Sequence, residues 1–245
     1  MYSGIYEIAG LTVEIRSLHP EVQRDCAGYE SSGAPLVTVE ICQKDINFER
    51  EKSAGEDRAE GIPLRNFPDG YLETLAVYRK LAEYMLQKRQ TLLFHGSAIA
   101  VDGKAYLFTA ASGTGKSTHT RLWRELLGER AVMVNDDKPL LHITPEGVTV
   151  YGTPWNGKHR LGTNMAAPLA ALCVLERGQT NVIREVSPRE VLPMLIQQSY
   201  HPQCREAYPA YLSLLNTLTE QLRFYRLHCN MEPEAARVSF EGMAL

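Results

Sequence analysis

The segment 109–118, T-A-A-S-G-T-G-K-S-T, constrains the fold more than any other stretch of this 245-residue chain. It follows a short apolar run and opens a helical pattern in which Leu122, Trp123, Leu126 and Leu127 recur. A glycine-rich turn between a buried strand and a helix directs backbone N–H groups and the positive end of the helix dipole toward an anion. The segment therefore predicts an α/β fold with a phosphate site at this turn.

Residues 110–117 match the Walker A pattern G-x-x-x-x-G-K-[ST] of nucleotide-binding P-loops at every position but the first. In that pattern the Lys, here Lys116, reaches the β- and γ-phosphates, and the hydroxyl of the next residue, here Ser117, ligates Mg²⁺. Ala110 stands where the pattern has its first Gly. The alternative is a Gly/Ser-rich loop with a solvated Lys. The residues expected around the nucleotide are Ser112, Gly113, Thr114, Gly115, Lys116, Ser117 and Thr118.

Length and composition fit one α/β domain, or one domain with a small appendage. The net charge of −3 gives no reason to expect nucleic acid or an anionic membrane as a partner. Five scattered cysteines without a C-x-x-C pair are typical of a reducing compartment. The sequence contains no signal-peptide pattern and no membrane-length apolar run, so we expect a cytoplasmic protein.

Residues 1–90 are expected to form a mostly β N-terminal layer closed by a helix. Alternating apolar residues around Ala9-Gly10 predict a hairpin, and residues 36–42 predict another strand. The charged stretch 49–61 predicts a solvated helix or a flexible loop, and residues 69–88 have strong helical periodicity.

Residues 91–245 are expected to form the phosphate-binding domain. Asp102-Gly103 between apolar runs predicts a second hairpin, and Gly128 is expected to end the helix that follows the phosphate loop. Further helices are predicted after Ser187 and Pro233 and over residues 205–220. Further strands are predicted at residues 131–134, 140–144, 148–151, 171–176, 181–186 and 222–227.

Asp136 and Asp137 follow the predicted buried strand 131–134, about twenty residues beyond Lys116. In phosphoryl transfer one carboxylate holds Mg²⁺ and another accepts the proton of the attacking hydroxyl. Adjacent side chains at a strand end leave in different directions, which allows this pair to divide the two tasks. The alternative is a turn pair that caps the next segment.

Two further features are candidates for the site. His95 ends an apolar run before a Gly, where its side chain can face a cleft, although a lone His is more often structural. The loop 152–164 is polar, glycine-rich and basic, and its length without apolar periodicity is typical of functional loops. Lys158 and Arg160 are candidates to neutralise a transferred phosphate, and Asn164 to hydrogen-bond it. The alternative is a solvated basic loop.

His95-Gly96, the phosphate loop and the V-N-D-D segment together resemble the catalytic core of bacterial HPr kinase/phosphorylase. The S-G-T-G-K-[ST] loop and the paired aspartates also resemble ATP-dependent phosphoenolpyruvate carboxykinase (PEPCK), which shares that fold. The resemblance is closest to small HPr-kinase-like proteins found beside peptide-modification genes, some of which phosphorylate a Ser in a precursor peptide. It is sharp over residues 94–138 and diffuse to about residue 178.

The resemblance implies a mixed-sheet P-loop core that uses ATP and Mg²⁺. Lys116 and Ser117 would bind the phosphates and Mg²⁺. Asp136 would be the general base and Asp137 the second acid near the metal, or these two roles are exchanged. His95 would lie near the transferred phosphate or hydrogen-bond the base. The family signature E-I-R-G-L-G-I, which serves HPr docking and phosphorolysis, is replaced here by W-N-G-K-H-R-L-G-T-N.

These features predict an ATP/Mg²⁺-dependent kinase that phosphorylates a hydroxyl, in the first place a Ser, on a peptide, protein or small molecule. A nucleotide-binding accessory or sensor protein without phosphotransfer is the alternative. A carboxykinase-like lyase is the third candidate, although full-length carboxykinases are about twice as long. The sequence is compatible with an oligomer and leaves the acceptor and the choice of ATP over GTP open.

Overall fold

The computed structural model describes residues 1–244, so Leu245, the last residue of the predicted second domain, lies outside the described residues. The chain divides into two compact units, Met1–Tyr84 and Met85–Leu245. Helix α3 (Asp69–Arg89) carries the chain across that division. The predicted fold class is confirmed as α/β, with a mixed sheet and an N-terminal strand layer.

The first unit contains a three-stranded sheet in the order β1-β2-β3. Strands β1 (Tyr2–Ile8) and β2 (Leu11–Ser17) form the predicted antiparallel hairpin, and β3 (Val37–Glu40) pairs parallel with β2. Every second residue of β2 is buried, beginning at Leu11, as its alternating sequence predicts. One face of this sheet therefore contributes to the core of the first unit.

Three helices complete the first unit: α1 (Glu21–Asp25), α2 (Gln43–Glu60) and most of α3. The charged stretch 49–61 belongs almost entirely to α2 and is not a flexible loop. Glu49 and Asp57 are buried and paired with Arg79 and Arg65. Ion pairing within the unit thus explains how a charged sequence supplies a partly buried helix.

The second unit is built on a nine-stranded mixed sheet. Seven of its strands follow the order β4-β8-β9-β10-β6-β5-β7, while β12 pairs with β10 and β11 pairs with β12. The strands are β4 (Thr91–Leu93), β5 (Ser97–Val101), β6 (Lys104–Thr109), β7 (Ala131–Asn135), β8 (Leu140–Thr144), β9 (Gly147–Tyr151), β10 (Ala166–Arg177), β11 (Val182–Val186) and β12 (Arg223–Cys229).

Strand β10 is longer than its sequence predicts, because it begins at Ala166 and not at residue 171. Its first residues, including the exposed Pro168, pair with β9, and its later residues pair parallel with both β6 and β12. A register shift separates Leu169 from Ala171. At Pro168 the strand pairs with β9 alone, and a proline is tolerated where one edge of a strand is unpaired.

The order β6-β5-β7 sets the position of the candidate site. Strand β5 is antiparallel to both neighbours, so β6 and β7 run in the same direction. Ser97 at the start of β5 lies opposite Phe108 of β6, and Ala98 lies opposite Asn135 of β7. The ends of β6 and β7 and the beginning of β5 therefore meet at one edge of the sheet.

Four helices complete the second unit, and the sheet is buried on both faces. Successive residues of β6 point to opposite faces of the sheet and so enter different apolar clusters, Leu107 in one and Phe108 in the other. No helix within residues 1–244 is long and apolar enough to span a bilayer. The helices are α4 (Lys116–Leu127), which ends at the predicted Gly128, α5 (Pro188–Gln198), α6 (Tyr208–Gln221), which follows a short 3-10 turn (Arg205–Ala207), and α7 (Glu234–Met243).

A buried polar contact links the helix after the phosphate loop to the last helix. The Ser239 hydroxyl of α7 lies 2.9 Å from His119 Nε2 and accepts a 2.7 Å hydrogen bond from Trp123 Nε1. Burial lowers the pKa of His119 to about 4, so its ring is neutral at neutral pH. This contact helps to fix α4 against α7.

We expect Ser239→Ala to lower the free energy of unfolding by about 2 kcal/mol, because it leaves buried polar groups of His119 and Trp123 without their partner. Urea denaturation followed by circular dichroism measures the change. Ser213→Ala, on the exposed face of α6, is the matched control and should shift the value by less than about 0.5 kcal/mol. Equal effects of the two substitutions would contradict the role of this contact.

Candidate active site

The phosphate loop connects the end of β6 to the start of α4, as predicted. Gly113 has φ +74° and Gly115 has φ +124°, and glycine adopts such backbone conformations at little cost. Ala110 is fully buried in the core and is not among the described non-glycine residues with positive φ. The backbone therefore accepts alanine at the position where the pattern has its first glycine.

Lys116 begins α4 and folds back over the loop, where its Nζ donates a 3.3 Å hydrogen bond to the Ala110 carbonyl. Burial lowers the pKa of Lys116, and the charge of Lys138 acts in the same direction, while the Asp137 carboxylate opposes both. Ser112, Gly113 and Ser117 are exposed, and Thr114, Gly115 and Thr118 are half-buried. The phosphate loop thus combines one partly desolvated ammonium group with residues that are open to solvent.

His95 and Asp137 form a pair beside this lysine. His95 Nε2 lies 3.3 Å from Asp137 Oδ1, and the Gly96 N–H donates a 3.0 Å hydrogen bond to the Asp137 carbonyl. Burial by itself would raise the pKa of Asp137. The hydrogen bond from His95 and the charges of Lys138, His95 and Lys116 instead hold the pKa of Asp137 below its usual value. The observed partner of His95 is thus Asp137 and not the predicted base Asp136.

Asp136 has a different environment from its neighbour. It is only 5% exposed, and its Oδ1 accepts a 2.6 Å hydrogen bond from the Gly157 N–H. A Cβ at residue 157 would lie 3.0 Å from Asp136 Oδ2. A side chain at this position would crowd the carboxylate, so glycine permits the close approach of the loop backbone. The two carboxylates therefore point to different parts of the site, Asp136 to the loop 152–164 and Asp137 to His95 and Lys116.

Asn135 joins the aspartate pair to this loop. Its Oδ1 accepts hydrogen bonds from the N–H groups of Asp137 (2.9 Å) and Lys138 (2.6 Å). Its Nδ2 donates to the carbonyl groups of Thr153 (3.1 Å) and Trp155 (3.3 Å). The Asn135 side chain is fully buried, so these bonds form away from water and make one rigid connection.

The predicted loop residues Lys158, Arg160 and Asn164 are all exposed. The Arg160 N–H donates a 3.1 Å hydrogen bond to the Gly157 carbonyl, which closes a tight turn directly beyond the Asp136 contact. The structure thus brings His95, Asp137 and Lys116 together. It holds Asp136 against the loop and carries Lys158 and Arg160 on the adjoining exposed turn.

Sequence reasoning missed several residues of this region. Arg177, the last residue of β10, donates a 2.6 Å hydrogen bond to the Gly113 carbonyl of the phosphate loop. It reaches the loop because β10 continues three residues past Val174, which pairs with the last residue of β6. No local motif marks Arg177, whereas Asn135 and Lys138 flank the aspartate pair and could have been found from that adjacency.

The donor set fits Mg²⁺ held together with a nucleotide. Mg²⁺ prefers oxygen ligands and is usually bound by one or two carboxylates plus substrate phosphates and water. Ser117 supplies an exposed hydroxyl, and the side chain of Asp137 is 35% exposed. The described residues contain no cluster of three or more His, Cys, Asp or Glu that could hold a metal without such a substrate.

No protein-family model matches the chain, and no curated protein matches it in sequence. Among solved structures, the chain is similar to the Hpr(Ser) kinase/phosphatase from Coxiella burnetii. The sequence identity is 11% and the TM-score is 0.28, over 51% of this chain and 93% of that chain.

We expect Asn135→Ala to release both the aspartate turn and the loop 152–164, because it removes bonds to both. The free energy of unfolding should fall by about 3 kcal/mol. Hydrogen exchange at the amides of Asp137, Lys138 and Gly157 should accelerate more than at β12. Asn216→Ala, on the exposed surface of α6, should change neither quantity. Unchanged exchange at Gly157 in Asn135→Ala would contradict the proposed linkage.

Proposed function

We propose that this protein is an ATP- and Mg²⁺-dependent kinase that transfers the γ-phosphate to a hydroxyl, in the first place a Ser on a peptide or protein. The main support is that the phosphate loop, His95 and the aspartate pair lie together where β6 and β7 end and β5 begins. Phosphoryl transfer requires this combination of an anion site, an acid for the metal and a carboxylate for the incoming hydroxyl.

The proposed nucleotide side of the site includes Lys116, Ser117 and Asp137. Lys116 and the loop backbone would bind the phosphates, and Ser117 and Asp137 would hold Mg²⁺. When bound, Mg²⁺ supplies positive charge that offsets the charge on the phosphates. His95 would orient the Asp137 carboxylate, since its Nε2 lies 3.3 Å from Asp137 Oδ1.

The proposed acceptor side is organised by Asp136. As the hydroxyl oxygen bonds to the γ-phosphorus, Asp136 takes the hydroxyl proton, the bond from that phosphorus to the β,γ-bridging oxygen breaks, and ADP leaves. The Gly157 N–H holds Oδ1, and in this proposal Oδ2 would receive the proton. Lys158 and Arg160 would stabilise the negative charge of the transferring phosphate once both substrates are bound.

The proposed acceptor is a hydroxyl group. A Ser in a peptide or protein is favoured by the sequence resemblance, and a small hydroxyl compound is the second possibility. Free cysteines and a negative net charge support a cytoplasmic protein that does not bind nucleic acid or a membrane. An accessory or sensor protein would use the same phosphate loop but would transfer no phosphate.

We expect Asp136→Asn to reduce phosphate transfer by about 10²- to 10⁴-fold, because the amide cannot accept the hydroxyl proton. Binding of Mg-ADP, measured by calorimetry, should stay nearly unchanged. The assay follows transfer from γ-labelled ATP to peptides encoded beside the gene. Asp102→Asn, in the hairpin at the opposite edge of the sheet, is the control. Undiminished transfer by Asp136→Asn would remove Asp136 as the base.

We expect Lys116→Ala to weaken Mg-ADP binding by about 10- to 100-fold, because it removes a charged hydrogen-bond donor to phosphate. Lys104→Ala, at the other end of β6, should bind as tightly as the unmodified protein. If nucleotide binds normally but label never leaves ATP with any acceptor, the protein is a sensor and the kinase proposal fails. If Lys116→Ala binds nucleotide normally, the phosphate site itself is refuted.

A further inference from the structure

Two cationic side chains, those of Lys158 and Arg160, lie on either side of His159 on the exposed turn beside Asp136. We call Lys158, His159 and Arg160 the basic tip. All three are exposed, in a chain whose net charge is −3. The residue before them is Gly157, whose N–H binds the Asp136 carboxylate at 2.6 Å. The basic tip is therefore joined to the proposed catalytic base through a single residue.

The turn that carries the basic tip is held at both ends. Asn156 Oδ1 accepts a 2.9 Å hydrogen bond from the Gly162 N–H and so closes the neck of the turn. Thr163 then bonds to β7 through its N–H, at 3.2 Å from the Val134 carbonyl, and through its hydroxyl, at 2.8 Å from the Met133 carbonyl. The basic tip is thus a structured projection from the strand that delivers Asp136.

Arg160 has φ +47°, a conformation that few non-glycine residues adopt and that costs about 1 kcal/mol. The other described non-glycine residues with positive φ are Ala9, Gln90 and Asp102, and Ala9 and Asp102 lie in tight hairpin turns. Arg160 instead follows two exposed residues, Lys158 and His159, in the middle of the long loop between the paired strands β9 and β10. Such local strain is most often retained at functional sites.

The division between the two aspartates indicates which substrate the basic tip meets. Lys116 interacts with Asp137, and Arg177 contacts the phosphate loop, so positive charge is already present on the nucleotide side. The basic tip adjoins Asp136, on the side where the hydroxyl must enter. An acceptor with its own negative charge would be repelled by both carboxylates and the γ-phosphate unless cations offset that repulsion.

We infer that the basic tip binds a carboxylate of the acceptor close to the hydroxyl that is phosphorylated, so that the preferred substrate is an acidic Ser-containing peptide or a small hydroxy acid. This inference rests on the proposed kinase function and adds the chemical class of the acceptor. It assigns Lys158 and Arg160 to acceptor recognition in addition to any contact with the transferring phosphate.

Two synthetic peptides test the inference, each with one central Ser, flanked by Asp in one and by the isosteric Asn in the other. Binding in the presence of Mg-ADP is measured by fluorescence anisotropy, and transfer is measured with γ-labelled ATP. Glycerate serves as the small hydroxy acid in a separate arm. The proteins are the unmodified chain, Lys158→Gln/Arg160→Gln and the control Lys104→Gln.

We expect the unmodified chain and the control to prefer the Asp peptide by about fivefold or more, and the double variant to lose that preference. Added salt should reduce the preference, since the charges are exposed. Labelling of glycerate that is lost in the double variant would support the same carboxylate contact in a small acceptor.

The inference is overturned if the unmodified chain treats both peptides alike and does not label glycerate, or if the double variant keeps the preference. An equal fall in transfer to both peptides would assign the two cations to the phosphate alone and would also overturn it. The kinase proposal is judged separately, by Mg-ADP binding and by transfer to any acceptor.

Discussion

The antiparallel position of β5 between β6 and β7 is the constraint on which the candidate site depends. Because β6 and β7 run in the same direction, the phosphate loop and the aspartate pair leave the sheet at the same edge. Because β5 runs in the opposite direction, it begins at that edge, and His95 lies just before its first residue. Three short motifs that are separate in sequence thus become neighbours through backbone pairing alone.

Within this frame, opposite environments separate two adjacent carboxylates. Asp137 lies among His95, Lys116 and Lys138, and their hydrogen bonding and charge lower its pKa despite burial. Asp136 is more buried, and its Oδ1 is held by a backbone N–H. Asn135 holds the turn that contains both aspartates, because its Oδ1 accepts hydrogen bonds from the N–H groups of Asp137 and Lys138. One asparagine therefore maintains the geometry that would allow neighbouring residues to perform different chemistry.

Local features of the sequence predicted local structure well. The hairpins at Ala9-Gly10 and Asp102-Gly103 and the strand-to-helix phosphate loop depend on residues close together in the chain, and all three are observed. The early start of β10 and the contact of Arg177 with the loop depend on pairing between distant strands, which no local pattern encodes. The Asp136–Gly157 bond was missed for the same reason.

The loop 152–164 combines anchored ends with an exposed middle. Its ends bond to buried groups and to the backbone, through Thr153 to Asn135 and through Thr163 to β7. Its middle, at Lys158 and Arg160, is exposed and projects from the scaffold. A substitution of an exposed side chain in the middle would change surface charge, whereas loss of the Thr153 or Thr163 bonds would loosen the segment that holds the Asp136 carboxylate. The ends of the loop are therefore tied to the turn that carries Asp136, while the side chains in its middle face solvent.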